Sequence, residues 1–298
     1  MKDLLTKTFP DFIFKFDEPM KHYTYTKLGG NAECLFFPRN EEELSSVFSL
    51  SYEQNIPTFI LGNGSNLIIK DGGIKGIVVS TLKLDTIHLE NNTIIAQCGS
   101  KIIDVSFFAS SNSLTGLEFS CGIPGTTGGA VFMNAGAYGG ETKDVLDKVK
   151  AIDKKGRISI VKKEDLHLEY RHSVFQENEL FIYEAYFELL PGDEAKSLEK
   201  MNHLNDLRHN SQPLEFPSCG SVFKRPTGFY AGKLIQDSNL QGYSIGGAEV
   251  SMKHAGFVIN RDNAEARDYI AVIEHIQKTV QNNFNVQLER EVKIVGEN

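Results

Sequence analysis

The chain has 298 residues, 41% hydrophobic and 23% charged, a balance that suits a folded globular protein and excludes a disordered or fibrous one. The net charge is −8, and Lys and Arg are scattered rather than clustered, which argues against a nucleic-acid partner because gripping a phosphate backbone needs a basic footprint. Apolar runs stay far below the roughly eighteen residues that cross a bilayer, and the N-terminus lacks a basic segment before an apolar core, so the expected location is the cytoplasm.

Asn40, followed by Glu43 and then by Leu44, Val47, Phe48 and Leu50, predicts a capped amphipathic helix ending near Gln54. Apolar runs over residues 56–61 and 67–69 bracket Gly62, Asn63, Gly64, Ser65 and Asn66, which reads as strand, polar turn, strand. Short strands are expected over 75–80, 86–89 and 93–98, the last two joined as a hairpin, and a helix over 102–111. Residues 147–153 and 157–161 form a second predicted hairpin turning at Lys154, Lys155 and Gly156, and residues 181–189 alternate like another strand. Pro191, Gly192 and Asp193 break the pattern before a helix over 195–208.

The expected organisation is therefore α+β in two domains, residues 1–192, with 1–24 as a leading segment, and residues 193–298. The second contains a helix-like segment around Leu234 and Ile235 and a strand over 255–260. A long helix carrying Ala266, Ile270, Ile273, Ile276 and Val280 on one stripe follows, and then a last strand alternating over 286–294. Cys34, Cys98, Cys121 and Cys219 show neither paired nor zinc-type spacing and read as small buried thiols; no metal site is expected.

Between the predicted helix at 102–111 and the hairpin lies the most unusual stretch. Residues 121–140 hold seven glycines among twenty positions with almost no charge, too apolar for a solvated linker. Clustered glycine weakens regular structure, so it points to backbone that must turn tightly or let a ligand approach closely. Main-chain N–H groups in such loops can hold phosphate oxygens without lysine. A dinucleotide fingerprint fails because Leu67 stands where the third glycine belongs, and a P-loop fails because Gly232 and Lys233 precede Leu234. Two N–H-rich turns, at 62–66 and 121–140, suit an extended diphosphate cofactor, for which FAD is the natural candidate.

Six blocks then occur in a telling order: Thr26 to Gly30 (TKLGG), Gly62 to Asn66 (GNGSN), Gly122 to Ala130 (GIPGTTGGA), Tyr170 to Phe175 (YRHSVF), Gly220 to Lys224 (GSVFK) and Leu288 to Val292 (LEREV). In that order the chain resembles the UDP-N-acetylenolpyruvoylglucosamine reductases over nearly its whole length from Tyr25. The short interval between Arg171 and the strand at Phe181 resembles the branch lacking an inserted substrate loop.

The resemblance implies an FAD-binding domain of the vanillyl-alcohol-oxidase type followed by a smaller substrate domain. It also implies reduction of an enolpyruvyl UDP-sugar to UDP-N-acetylmuramate in peptidoglycan synthesis, with NADPH as reductant. The cofactor residues implied are Gly62, Asn63, Gly64, Ser65, Asn66, Pro124, Gly125, Thr126, Gly128, Gly129, Ala130, Asn134, Gly136 and Ala137. Carried over from the family pattern, Arg171 meets the substrate carboxylate, Ser221 donates the proton and Glu291 is the catalytic glutamate. Lys224, Arg225 and His254 are expected substrate contacts, although Arg225 replaces a common asparagine, His254 a glutamine and Gln241 a lysine. An alcohol oxidase on the same fold and a non-catalytic nucleotide-binding module are the competing expectations. Colour separates the last of these, since bound oxidised flavin absorbs visible light.

Overall fold

Five antiparallel strands form the largest sheet in the structure, a computed structural model that describes residues 1–298. Their order is Ile158–Lys162, Leu146–Asp153, Leu180–Glu188, Thr93–Gln97 and Ile87–Glu90. Both predicted hairpins are present, each closing neighbouring strands. The sheet belongs to a compact unit comprising Met1–Phe16, Cys34–Asn63 and Gly76–Leu207. A second unit comprises Asp17–Glu33, Gly64–Lys75 and Arg208–Asn298. Each unit is discontinuous in sequence.

In the first unit the helices are α1 (Lys2–Thr8), α2 (Glu41–Glu53), α3 (Ile102–Ser111), α4 (Thr127–Phe132), α5 (Thr142–Val145) and most of α6 (Glu194–Ser211). The Asn40 side chain accepts the Glu43 N–H at 2.9 Å, the cap that the spacing predicts for α2. Leu44, Val47 and Phe48 then face the sheet, where the Phe48 ring meets Phe181 edge-on at 5.5 Å. Ile102, Val105 and Ala109 of α3 join the same core. Thr58–Leu61 pairs in parallel with Ile74–Ser80 and delivers the chain into the first glycine turn.

A buried carboxylate ties α6 to the segment that enters the second glycine stretch. Glu118 accepts from the Thr115 hydroxyl at 2.6 Å, the Gly116 N–H, the Ser197 hydroxyl at 3.0 Å and Lys200 Nζ at 3.3 Å. Burial alone would push this carboxyl up, but the donors from Thr115, Ser197 and Lys200 outweigh it and hold the group below the usual carboxylate range.

The second unit holds a four-stranded antiparallel sheet in the order Ser218–Ser221, Phe257–Asn260, Ala248–Val250, Ser244–Ile245. Helices α7 (Ala231–Asp237) and α8 (Ala266–Phe284) share its core, with Tyr269, Val272, Ile273, Ile276 and Val280 of α8 buried. The Asp71 carboxylate takes the Ala266 and Arg267 N–H groups at 2.9 and 3.0 Å, closing the N-terminus of α8.

Two expectations differ from the structure. Residues 121–140 are not loop throughout, for they contain α4 and a small pairing of Gly136–Ala137 with Gly140–Glu141. The single terminal strand expected over 286–294 is shorter because the chain changes partner along it. It bridges Phe223 at Arg290, then pairs as Lys293–Val295 in parallel with Leu67–Ile69. Its apolar alternation survives because Leu288 and Val292 are buried on both sides of that switch.

Glu118→Gln should cost about 1.5–3 kcal/mol at neutral pH, the range for bonds to a charged group. A carboxyl held low contributes its stability fully above the unfolded value, near 4.3, and loses it as pH falls through the folded value. Thermal melts should therefore show the wild-type advantage shrinking below about pH 4. A gap that stays constant down to pH 3 would contradict this account of the carboxylate.

Candidate functional site

In the first unit the two glycine turns touch. The Asn63 Nδ2 donates to the Pro124 carbonyl at 2.7 Å. A Cβ at Gly62 would lie 2.5 Å from the Thr126 Oγ1, so this close approach requires glycine. Thr126 is itself buried and caps α4, its hydroxyl accepting the Gly129 N–H at 3.3 Å.

Accounting for main-chain donors separates groups committed to the fold from groups left for a ligand. The Thr127 and Gly128 N–H groups are spent on the Ser100 and Cys98 carbonyls at 2.7 and 2.8 Å. Ala130 N–H bonds the Thr126 carbonyl, and the Gly125 N–H bonds the Ile123 carbonyl. By contrast, the N–H groups of Asn63, Gly64 and Ser65 in one turn, and of Gly122 and Thr126 in the other, find no acceptor in the protein. Around Gly129 the only atom near an added Cβ is the Thr126 Oγ1 at 3.5 Å, so the flank of α4 is open there. Orphan donors and an open glycine surface fit a diphosphate-linked cofactor.

Arg171 is fixed to the same region. Its Nη2 donates to the Gly136 carbonyl at 3.1 Å, and its guanidinium lies 5.1 Å from the centre of the Tyr170 ring. The surrounding segment is stitched down by Ser173 Oγ to the Phe132 carbonyl at 2.7 Å, and by Gln176 Nε2 to the Phe132 and Arg171 carbonyls at 2.9 and 3.0 Å. Asn134 holds the other side, its amide reaching the Glu169 carbonyl at 2.8 Å while its oxygen takes the Lys143 N–H at 2.9 Å. Fully buried and satisfied, the Asn134 side chain serves the fold, and Gly136 and Ala137 beyond it are half-buried main chain. Gln176 escaped the sequence reading; its signal is a polar residue closing the apolar run Val174 and Phe175.

The second unit brings Ser221 and Glu291 together on neighbouring segments. The Glu291 N–H bonds the carbonyl of Val222, the residue after Ser221, at 2.8 Å. Asn66 secures the same strand, with Nδ2 on the Glu291 carbonyl at 3.3 Å and its own carbonyl accepting the Lys293 N–H at 3.1 Å. Ser221 is exposed and Glu291 half-buried. Glu289, the rival carboxylate on this strand, is instead paired with Lys224 at 2.6 Å and largely exposed.

Arg225 lies 4.0 Å from the centre of the Tyr230 ring. His254 accepts the Gly256 N–H on Nδ1 at 3.1 Å, which leaves the proton on Nε2, and burial lowers its pKa, so the ring is neutral near pH 7. All four cysteines are buried and none forms a disulfide, and burial pushes the Cys219 thiol up to about 11, so it stays protonated near neutral pH.

Residues 32–162 match the FAD binding domain family, and residues 212–295 match the C-terminal domain of UDP-N-acetylenolpyruvoylglucosamine reductase. Over 293 residues the sequence is 52% identical to the UDP-N-acetylenolpyruvoylglucosamine reductase of Staphylococcus aureus, covering 98% of this chain and 95% of that one. Among solved structures it resembles the UDP-N-acetylenolpyruvylglucosamine reductase from Thermus caldophilus, with a TM-score of 0.81, 29% identity, and coverage of 95% of this chain and 98% of that one. A chitooligosaccharide oxidase shares the fold alone, at a TM-score of 0.50 and 14% identity over 64% of this chain and 43% of that one.

Gly62→Ala should force the two turns apart at a cost of about 1–3 kcal/mol, the range for overpacking. FAD titration of the apoprotein, followed by flavin fluorescence, should then show affinity reduced roughly 5- to 150-fold. Unchanged affinity would mean that this approach of main chain does not shape the cofactor site.

Proposed function

The chain belongs to the UDP-N-acetylenolpyruvoylglucosamine reductase family, and from that premise we propose that it reduces the enolpyruvyl group of UDP-N-acetylglucosamine enolpyruvate to UDP-N-acetylmuramate for peptidoglycan synthesis, with NADPH as reductant. FAD, when bound, supplies the hydride relay between nicotinamide and the enolpyruvyl carbon. The observation that most supports the reading is the joining of Ser221 to Glu291 through the Val222 carbonyl, with Asn66 of the first glycine turn bonded to the same Glu291 main chain.

The cofactor contacts precede residue 193 and the substrate groups, Arg171 excepted, follow it. Orphan N–H groups at Asn63, Gly122 and Thr126 in the first unit are the donors we assign to the diphosphate. Glycine at 129 leaves room beside α4 for the remaining parts of the cofactor.

Hydride addition to an enol ether carboxylate drives negative charge into the carboxylate. A fixed cation there lowers the barrier without reorganising. Arg171 meets that need, because the Gly136 carbonyl holds one arm of its guanidinium and the fork geometry suits a carboxylate. The adjacent carbon must then receive a proton from a donor within hydrogen-bond reach, and exposed Ser221 is the donor we assign. Glu291, whose main-chain N–H bonds the carbonyl of the residue after Ser221, is the catalytic glutamate we assign.

Lys224, Arg225 and His254 are the groups we assign to the UDP-sugar. The Lys224 pair with Glu289 is exposed on the acid's side and weak, so exchanging the carboxylate for a phosphate costs little. Neutral His254 offers Nε2–H as a donor.

In anaerobic stopped-flow experiments, Ser221→Ala should leave flavin reduction by NADPH within about twofold of wild type. Reoxidation by the enolpyruvyl substrate should fall by about 100-fold or more, the usual contribution of a positioned general acid. Equal loss in both half-reactions would count against Ser221 as the donor.

A further inference from the structure

Ser221 owes its outward direction to an irregularity in its strand. Ser218 pairs with Ile259 and Ser221 with Phe257, so Cys219 and Gly220 together oppose the single residue Val258. One extra residue on one strand is a β-bulge, a feature that re-aims side chains and clusters near active sites. In a regular strand Cys219 and Ser221, two apart, would share a face. Here Cys219 is buried, Ser221 exposed and Val222 buried again, so the alternation has shifted by one residue across the bulge.

Two groups hold that irregularity. Gly220 has φ +74°, the left-handed region that most side chains avoid, and nothing lies within 4 Å of a Cβ added there. Substitution would thus act on backbone conformation and not through a clash. From beneath, the fully buried Tyr269 of α8 donates its hydroxyl to the Val258 carbonyl, opposite the bulge, and the same oxygen lies 3.5 Å from Cys219 Sγ. One hydroxyl therefore contacts both sides of the bulge.

We propose that the bulge at Cys219 and Gly220, clamped by the Tyr269 hydroxyl, presents Ser221 for proton delivery, which makes Gly220 and Tyr269 positioning residues for the reaction. This rests on the reading of Ser221 as proton donor. Neither residue touches the reacting atoms; both act through the direction of one hydroxyl.

The test uses the FAD-loaded enzyme and both half-reactions. Gly220→Val, which disfavours positive φ, and Tyr269→Phe, which removes only the hydroxyl, should each slow reoxidation by the enolpyruvyl substrate about 10- to 100-fold, the scale of a small misplacement. Flavin reduction by NADPH should stay within about twofold in both, since that half-reaction does not use the serine. Gly220→Asn should restore most of the lost rate because asparagine tolerates the left-handed region. Combining Tyr269→Phe with Ser221→Ala should add no loss beyond Ser221→Ala alone, as required of a residue acting through the serine.

Equal slowing of both half-reactions, failure of asparagine to rescue, or additive losses in the double variant would each overturn the positioning role while leaving the serine's own role standing. Reoxidation untouched by Ser221→Ala would instead sink the donor reading, and this inference with it.

Discussion

Main-chain N–H groups with no acceptor inside the protein are the constraint around which we propose the cofactor site is organised. Leaving such donors unpaired is costly, so a fold keeps them where solvent or a ligand completes them. In the first unit they occur at Asn63, Gly122 and Thr126, while neighbouring donors in the second turn are consumed by Ser100, Cys98 and Thr126. The same residues that bond inward brace those that point outward. Asn63 on the Pro124 carbonyl and the close passage of Gly62 by Thr126 hold the first unit's part of the two turns in register.

The groups we assign to the reaction are held by comparable anchoring. Arg171 is aimed by one bond to the Gly136 carbonyl and by a segment sewn down through Ser173 and Gln176. Ser221 and Glu291 are set by a ladder that passes through the Val222 carbonyl. In each case a side chain we assign to the reaction sits on main chain anchored by neighbouring hydrogen bonds, which is how a site is preorganised.

Much of this was legible in the sequence where the signal was local. The cap at Asn40, the helix at Ile102–Ser111 and both hairpins depend on neighbouring residues, and periodicity reads them well. Glycine density exposed the turns, and block order exposed the family. What escaped depends on partners distant in sequence. Within the last predicted strand, the chain exchanges Phe223 for Leu67–Ile69, an event no alternation pattern encodes. The bulge at Cys219 and Gly220 is one extra residue in a four-residue strand, and its clamp, Tyr269, lies 50 positions along the chain. Helix α4 was hidden because four of its neighbours and members, Gly125, Gly128, Gly129 and Thr126, read as turn formers until their caps and partners are known.

We propose that the cofactor is recognised through its diphosphate by lysine-free main chain. Calorimetric titration of the apoprotein with FAD and with riboflavin, which lacks the diphosphate, tests it most directly. Riboflavin should bind at least about 100-fold more weakly, since charge-assisted bonds to the orphan N–H groups are lost. Comparable affinity for the two would contradict it.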